Sequence, residues 1–422
     1  MKSIFKNPYC VMLVVVFMMI NMALLNSSYP FEIIEGLIRI YVSPDILITD
    51  YIELSGLAAA FANSAIMGLI CIVLLMITKH EPTGKTIMSL WLVCGFSFFG
   101  KNFVNSVPII LGGIIYSRYM KEPIKNNLVY TFLGTGLAPA VTQVYNFGYI
   151  SKGLGIMIGV LFGIMIGFVI IPLTISTTKL HTGHNLYNSG FSAGLLAMLI
   201  MALFRGIGID FSSNNLWSQG NNDKIFFFIM AISTFLILIG VITGDDYKER
   251  IKNIFHDFSK VKHHGKHFYD DVKDYSYINM GILGICACIL MLVLKVELSG
   301  PVLGGIFTII GFGCCGKNIQ NIVPVMAGAL LAGALSVYGL GTPSVIIAIL
   351  FSSCLAPIVS DYGVGWGFIA GILHVNFVMN SGDFHGGMNL YNNGLAGGFV
   401  AIILVPLIEA LNTGRLKRKS KS

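Results

Sequence analysis

Two lysines and two histidine–asparagine clusters are the polar side chains of this sequence best placed to do chemistry. Lys101 in Gly100-Lys101-Asn102 and Lys317 in Gly316-Lys317-Asn318 each interrupt an apolar stretch. The segment His181-Thr182-Gly183-His184-Asn185-Leu186-Tyr187-Asn188-Ser189-Gly190 returns as His385-Gly386-Gly387-Met388-Asn389-Leu390-Tyr391-Asn392-Asn393-Gly394. A lysine at membrane depth attracts an anion or a carbonyl that offsets its burial cost. Asparagine amides bind unwound carbonyls or a polar solute, and imidazole titrates where it can carry protons. The candidate substrate-binding residues are therefore Lys101, Asn102, Lys317, Asn318, His181, Asn185, Asn188, His385, Asn389 and Asn392. Structural roles compete with these: a lysine that pairs with a carbonyl and locks a hairpin, asparagines (Asn105 and Asn321 included) that cap turns, and histidines hydrogen-bonded across a pseudo-dyad. Pro108 and Pro324, a few residues after each Gly-Lys-Asn, suit the first turn of a returning half-helix, whose free N–H groups would then face the tip.

These residues belong to a larger duplication. Lys79 to Gly84, Gly100-Lys101-Asn102, Asn105 and Val107-Pro108 align with Lys295 to Gly300, Gly316-Lys317-Asn318, Asn321 and Val323-Pro324 at one constant offset. Leu137-Ala138-Pro139 matches Leu355-Ala356-Pro357, and Gly163 and Gly167 match Gly367 and Gly371. The order of landmarks is kept, as in a true repeat. The copies differ in detail: His184 falls on Met388 and Lys179 on Asp383, while His374 and Asp361 lack polar counterparts and form a candidate ion-coupling pair.

Apolar residues make up 55% of the chain and charged residues 11%, and the mean hydropathy is +0.78. A soluble domain carries about a quarter charged residues, so this composition excludes one. The +7 formal charge lies between apolar segments and at the C-terminus, which fits positive-inside topology and not nucleic-acid binding. Cysteines 10, 71, 94, 286, 288, 314, 315 and 354 lie in or beside apolar runs and read as packing residues. The four histidines at 256, 263, 264 and 267 read as part of a solvated basic linker, and no metal or other cofactor is expected.

Spanning segments of about 20 apolar residues are expected near 8–25, 51–78, 128–147, 153–176, 189–206, 224–243, 276–296, 343–359, 365–380 and 390–408. The stretches 87–117 and 301–338 are each two short apolar pieces and read as re-entrant hairpins. With both hairpins returning to their side of entry, every basic cluster lies inside, including the 244–275 loop with its seven Lys or Arg. That parity inverts the second copy relative to the first. The expected fold is an all-α integral membrane protein with an inverted structural repeat, about ten transmembrane helices and two re-entrant hairpins. Residues 1–206 form the first repeat half. Residues 207–275 hold an external loop, the leading helix 224–243 and a basic cytoplasmic loop, and 276–422 complete the second half with a basic tail. Residues 31–42 suit an interfacial helix on the outer surface. Localisation is expected in the cell membrane with both termini cytoplasmic.

The paired His-x-Gly-x-Asn-Leu-Tyr-Asn-x-Gly motifs with their Gly-Lys-Asn tips resemble an uncharacterised family of prokaryotic multi-pass membrane proteins known only as a domain of unknown function. The deduced architecture is similar to that of urea transporters, which use ten spans and two re-entrant hairpins in inverted halves. No urea-transporter signature accompanies it, and two intramembrane lysines set the chain apart from a neutral urea path. Gly-x-Ser-x-Gly, His-Glu-x-x-His and Walker loops are absent from the sequence. A transporter or channel for a small polar, possibly anionic, solute is therefore expected in preference to the alternative, a membrane-embedded enzyme acting on a lipid-linked or small polar substrate. The expected partners are that solute and the lipid bilayer, with a homo-oligomer left open and no nucleic acid.

Overall fold

A computed structural model describes residues 5–45, 49–148, 151–211, 216–244 and 273–419. Lys2, Asn214, Asn215 and nearly all of the basic 244–275 loop, with its four histidines, lie outside the described residues. The described chain is an all-α, multi-pass membrane protein. Among the described residues, nine helical stretches are long and apolar enough to cross a membrane, with 343–362 counted as one.

The first half runs α1 (Pro8–Leu25), α2 (Pro30–Val42), α3 (Tyr51–Ile77), α4 (Gly84–Phe96), α5 (Phe103–Tyr119), α6 (Leu128–Gly134), α7 (Ala138–Tyr145), α8 (Lys152–Thr177) and α9 (Asn188–Gly206). The second half runs α10 (Asn222–Thr243), α11 (Lys273–Val293), α12 (Gly300–Phe312), α13 (Ile319–Leu335), α14 (Pro343–Ser352), α15 (Ala356–Tyr362), α16 (Val364–Ser381) and α17 (Asn392–Lys419). From α3 onward the order in one half is that of the other from α11. Only α2 has no counterpart among the described residues.

The expected span 128–147 is broken. A 3-10 turn, Thr135–Leu137, separates α6 from α7, and Ser353–Leu355 separates α14 from α15 in the same way. The cause is Leu-Ala-Pro: Pro139 and Pro357 sit at the start of α7 and α15, where a missing N–H ends one helix and suits the start of the next. A second departure concerns Pro108 and Pro324, which lie inside α5 and α13 and not in their first turns. Those first turns are closed by asparagines instead.

Small residues let helices touch backbone to backbone. A Cβ on Gly112 or Gly167 would overlap the carbonyl of Ile164 or Ile109, which locks α5 against α8. Gly328 and Gly371 do the same between α13 and α16, against Phe368 and Val325. Close approach of this kind is what holds helices together where lipid is as apolar as the side chains. Gly167→Leu is expected to splay α5 from α8 and lower the thermal midpoint of the purified protein in detergent. The same change at exposed Gly153, which meets nothing, leaves the midpoint near that of the wild type.

Six of the eight cysteines (71, 94, 288, 314, 315 and 354) are buried and all eight are free, in keeping with a packing role. On α2, Phe31, Ile34, Ile38 and Val42 form an exposed apolar stripe, as expected of a helix whose apolar face meets lipid headgroups.

Candidate functional site

Each Gly-Lys-Asn segment is a short connection between two helices, α4 to α5 and α12 to α13. Gly100 and Gly316 take positive φ, +66° and +95°, which only glycine adopts without strain. Asn102 then caps α5: its Oδ1 accepts from Asn105 N at 3.1 Å while Asn105 Oδ1 accepts from Asn102 N at 2.9 Å. Asn318 and Asn321 repeat this box on α13, at 3.2 and 2.9 Å. Asn102 and Asn318 therefore spend their carbonyl oxygens on the turn, and the N–H groups expected to be free at the tips are partly taken.

Lys101 and Lys317 are fully buried, with 0% exposure. Lys101 Nζ donates to Tyr391 Oη at 3.1 Å, and Lys317 Nζ donates to Tyr187 Oη at 2.7 Å and to Ser353 Oγ at 2.9 Å. The tip of each half thus reaches the motif of the other. The aromatic surroundings are reciprocal as well: Lys101 Nζ lies 5.4 and 5.9 Å from the rings of Tyr391 and Phe96, and Lys317 Nζ lies 4.6 and 5.1 Å from those of Tyr187 and Phe312. No carboxylate pairs with either lysine among the described residues. Ring faces and hydroxyls offset only part of the cost of a buried ammonium.

More contacts obey the same exchange. Leu186 N donates to Cys354 O and Leu390 N to Gly136 O, both at 3.0 Å. Trp91 and Phe307, equivalent in the repeat, meet edge to face at 5.1 Å, and a Cβ on Gly190 or Gly394 would press on the other's Cα.

Within the motifs the polar side chains divide their work. His181 Nε2 bonds Asn188 Oδ1 at 2.8 Å, and His385 Nε2 bonds Asn392 Oδ1 at 2.9 Å. The histidine bonds are thus inside each motif and do not cross between halves. Asn188 Nδ2 is itself a donor to Thr174 O and Thr178 Oγ1, so its Oδ1 must accept, and His181 carries its proton on Nε2. Its Nδ1, like that of His385, is buried with no partner among the described residues. Asn185 precedes α9 instead of sharing a helical face with Asn188, and its Nδ2 donates to Gly394 O at 2.9 Å. The equivalent Nδ2 of Asn389 is buried without a partner among the described residues. His374 bonds Asn393 at 3.1 Å, so Asp361 pairs elsewhere. Its Oδ2 lies 3.1 Å from His184 Nε2, an electrostatic contact short of an aligned hydrogen bond.

A cavity of about 330 Å³ runs from exposed Thr182 and Gly183, past His184 and Asp361, to a floor made by Phe96, Phe312, Phe351, Tyr187 and Tyr391. His181, Asn185 and Asn188 line it. Neither lysine does, yet each is bonded to a tyrosine of the floor. Tyr391 Oη accepts from Lys101, and Tyr187 Oη accepts from Lys317 and lies 3.4 Å from Ser353 Oγ, so the aromatic floor is backed by two buried amines. The two motifs stand differently towards this space. The first lines it throughout and is partly exposed, whereas the second is buried from His385 to Gly394 and reaches the cavity only through Leu390, Tyr391, Asn393 and Gly394.

Two residues that sequence reasoning passed over hold the tips. Asn63 Nδ2 donates to Ser97 O at 2.7 Å and Lys101 O at 3.0 Å, and Asn279 Nδ2 donates to Gly313 O at 2.8 Å and Lys317 O at 2.7 Å. Their signal was available: one asparagine at the same repeat offset inside an otherwise apolar helix.

No curated protein and no solved structure matches the chain. A family model matches residues 29–206 and 252–410, a span that includes both lysine tips and both motifs. The chain belongs to the family described as "Protein of unknown function (DUF1576)".

Proposed function

We propose that the protein is a membrane carrier for a small polar solute, anionic or carbonyl-bearing, bound between two inverted halves. The reciprocal pairs Lys101–Tyr391 and Lys317–Tyr187 support this most directly, because they put two buried amines without carboxylate partners behind the floor of one cavity. An anion docked on that floor would supply the missing countercharge.

The hairpins suit a re-entrant course. Helix α4 has 13 residues, about 20 Å at 1.5 Å per residue, which falls short of a hydrocarbon core about 30 Å thick. Returning hairpins keep Lys79, Lys85 and the 118–125 loop on the cytoplasmic face with the basic tail. The cavity, with Lys85 on its wall, then opens to the cytoplasm, and the part of the second motif that does not line it, His385 to Asn389, marks the closed outer side. One site open to one side and sealed from the other is the working arrangement of a carrier, whereas an open channel has a continuous path.

The runner-up is a membrane-embedded enzyme acting on a lipid-linked or small polar substrate. To separate the two, the full chain is reconstituted in liposomes and assayed for uptake of labelled sulfate, phosphate, succinate and glutamate. Saturable uptake of at least one, absent from empty liposomes, is expected. Turnover of a lipid-linked substrate with no flux of any solute would reject the carrier.

A further inference from the structure

Among the described residues, the first hairpin tip carries a buried acid and the second carries none. Asp45 follows α2, the helix without a counterpart among the described residues, and is fully buried against Asn102, Asn105 and Thr142. Its Oδ2 accepts from Asn102 Nδ2 at 3.0 Å, Asn105 Nδ2 at 2.9 Å and Thr142 Oγ1 at 3.2 Å, and its Oδ1 pairs with Tyr51 Oη at 2.9 Å. At the second tip, Asn318 and Asn321 turn their amides to Gly316 O, and no acid among the described residues is bonded to them.

The groups facing Asp45 are all neutral: the Tyr51 phenol on α3, the two amides on α5 and the Thr142 hydroxyl on α7. Lys101, one residue from Asn102, sends its ammonium to Tyr391 instead. Asp50, five residues on, contrasts with it: its carboxylate accepts from the backbone N–H of Ile52, Ser218 and Gly300, two of them in the first turns of α3 and α12, where negative charge is favoured. Among the described residues Asp45 has no such partner. It lies in the connection between α2 and α3, outside every spanning helix, and burial pushes its pKa up to about 7 against the hydrogen bonds that lower it.

The geometry also selects the ligand. Both asparagine oxygens are held by the capping box, so it is amide nitrogens that face the carboxylate, and a metal cation would find donors where it needs oxygens. A proton fits without rearrangement, since Tyr51 Oη can turn from donor to acceptor at Oδ1. Thr142 connects this point to the closed side of the molecule. It lies on α7 beside Gln143, whose Nε2 donates to Gly386 O of the second motif at 3.2 Å.

We propose that Asp45 is the proton-binding site of the protein: ionised, it clamps the first hairpin tip to α7, and protonated, it slackens that clamp and so couples solute movement to a proton. The coupling rests on the carrier reading above; proton binding at Asp45 does not. In pH-difference infrared spectra of the purified full chain, a protonated-carboxyl band is expected to titrate near neutral pH, about three units above an ordinary aspartate. It should vanish in Asp45→Asn and persist in Asp50→Asn. Thr142→Val, which removes one donor to the ionised form, should move the midpoint upward, and this variant serves if Asp45→Asn does not fold. A band that survives Asp45→Asn, or a midpoint unmoved by Thr142→Val, overturns the proposal. In liposomes, an inward pH gradient should drive accumulation of the transported anion by the wild type and not by Asp45→Asn. Accumulation by Asp45→Asn overturns the coupling. Flux of none of the four anions removes the carrier reading and the coupling with it, while the infrared titration still decides the proton site.

Discussion

Replacing Lys317 with methionine is expected to abolish solute uptake while leaving a folded protein that melts no lower than the wild type. Methionine keeps the apolar stem against Phe312 and Tyr187 and removes the ammonium that donates to Tyr187 and Ser353. A buried ammonium costs several kcal/mol of desolvation, and Lys317 has no carboxylate among the described residues that its removal would strand, so a methionine of similar volume is not expected to destabilise the fold. Uptake in liposomes and thermal unfolding in detergent measure the two halves of this statement. Lys101→Met should behave alike, because Lys101 bonds Tyr391 in the reciprocal place. A methionine variant that transports normally would mean that the ammonium groups serve only to hold the turns.

The opposite signature is expected of Asn63→Leu and Asn279→Leu. Each asparagine amide ties two backbone carbonyls of a tip, Ser97 O and Lys101 O in one half and Gly313 O and Lys317 O in the other. Losing it leaves two buried acceptors unpaired at about 1–3 kcal/mol each, so a loss on the order of 2–6 kcal/mol is expected. Serine is too short to reach both carbonyls and should recover only part of it, while glutamine overfills the site. Unchanged thermal midpoints in both leucine variants would show that the tips hold without these bonds.

The polar landmarks were legible because a polar residue in an apolar chain stands out and a repeated one stands out twice. The tips, the motifs and the order of helices in both halves follow from that contrast. The broken helices were less legible, since Leu-Ala-Pro lies inside runs whose hydropathy alone suits an unbroken span. Pro108 and Pro324 misled for a related reason: proline favours a first turn, but Asn102 and Asn318 cap better and fix the helix start five residues earlier. The division of labour within each motif could not be read from sequence. Whether Asn185 binds a carbonyl of the other half or a solute depends on which backbone lies opposite it, and spacing along one chain does not contain that. Asp45 escaped notice because it stands outside the repeat, where its partners are known only once the chain is folded.

The carrier reading rests on one motif facing water while the leading half of its counterpart, His385 to Asn389, is sealed. Equivalent positions test it: His184 borders the cavity and Met388 is fully buried. In a background with the native cysteines replaced, His184→Cys and Met388→Cys are labelled with a membrane-impermeant thiol reagent in inside-out and right-side-out vesicles. Cysteine at 184 is expected to react from the cytoplasmic side alone, and cysteine at 388 to react slowly and from the outer side alone. Reaction of both from the same side would contradict the inverted, two-sided site.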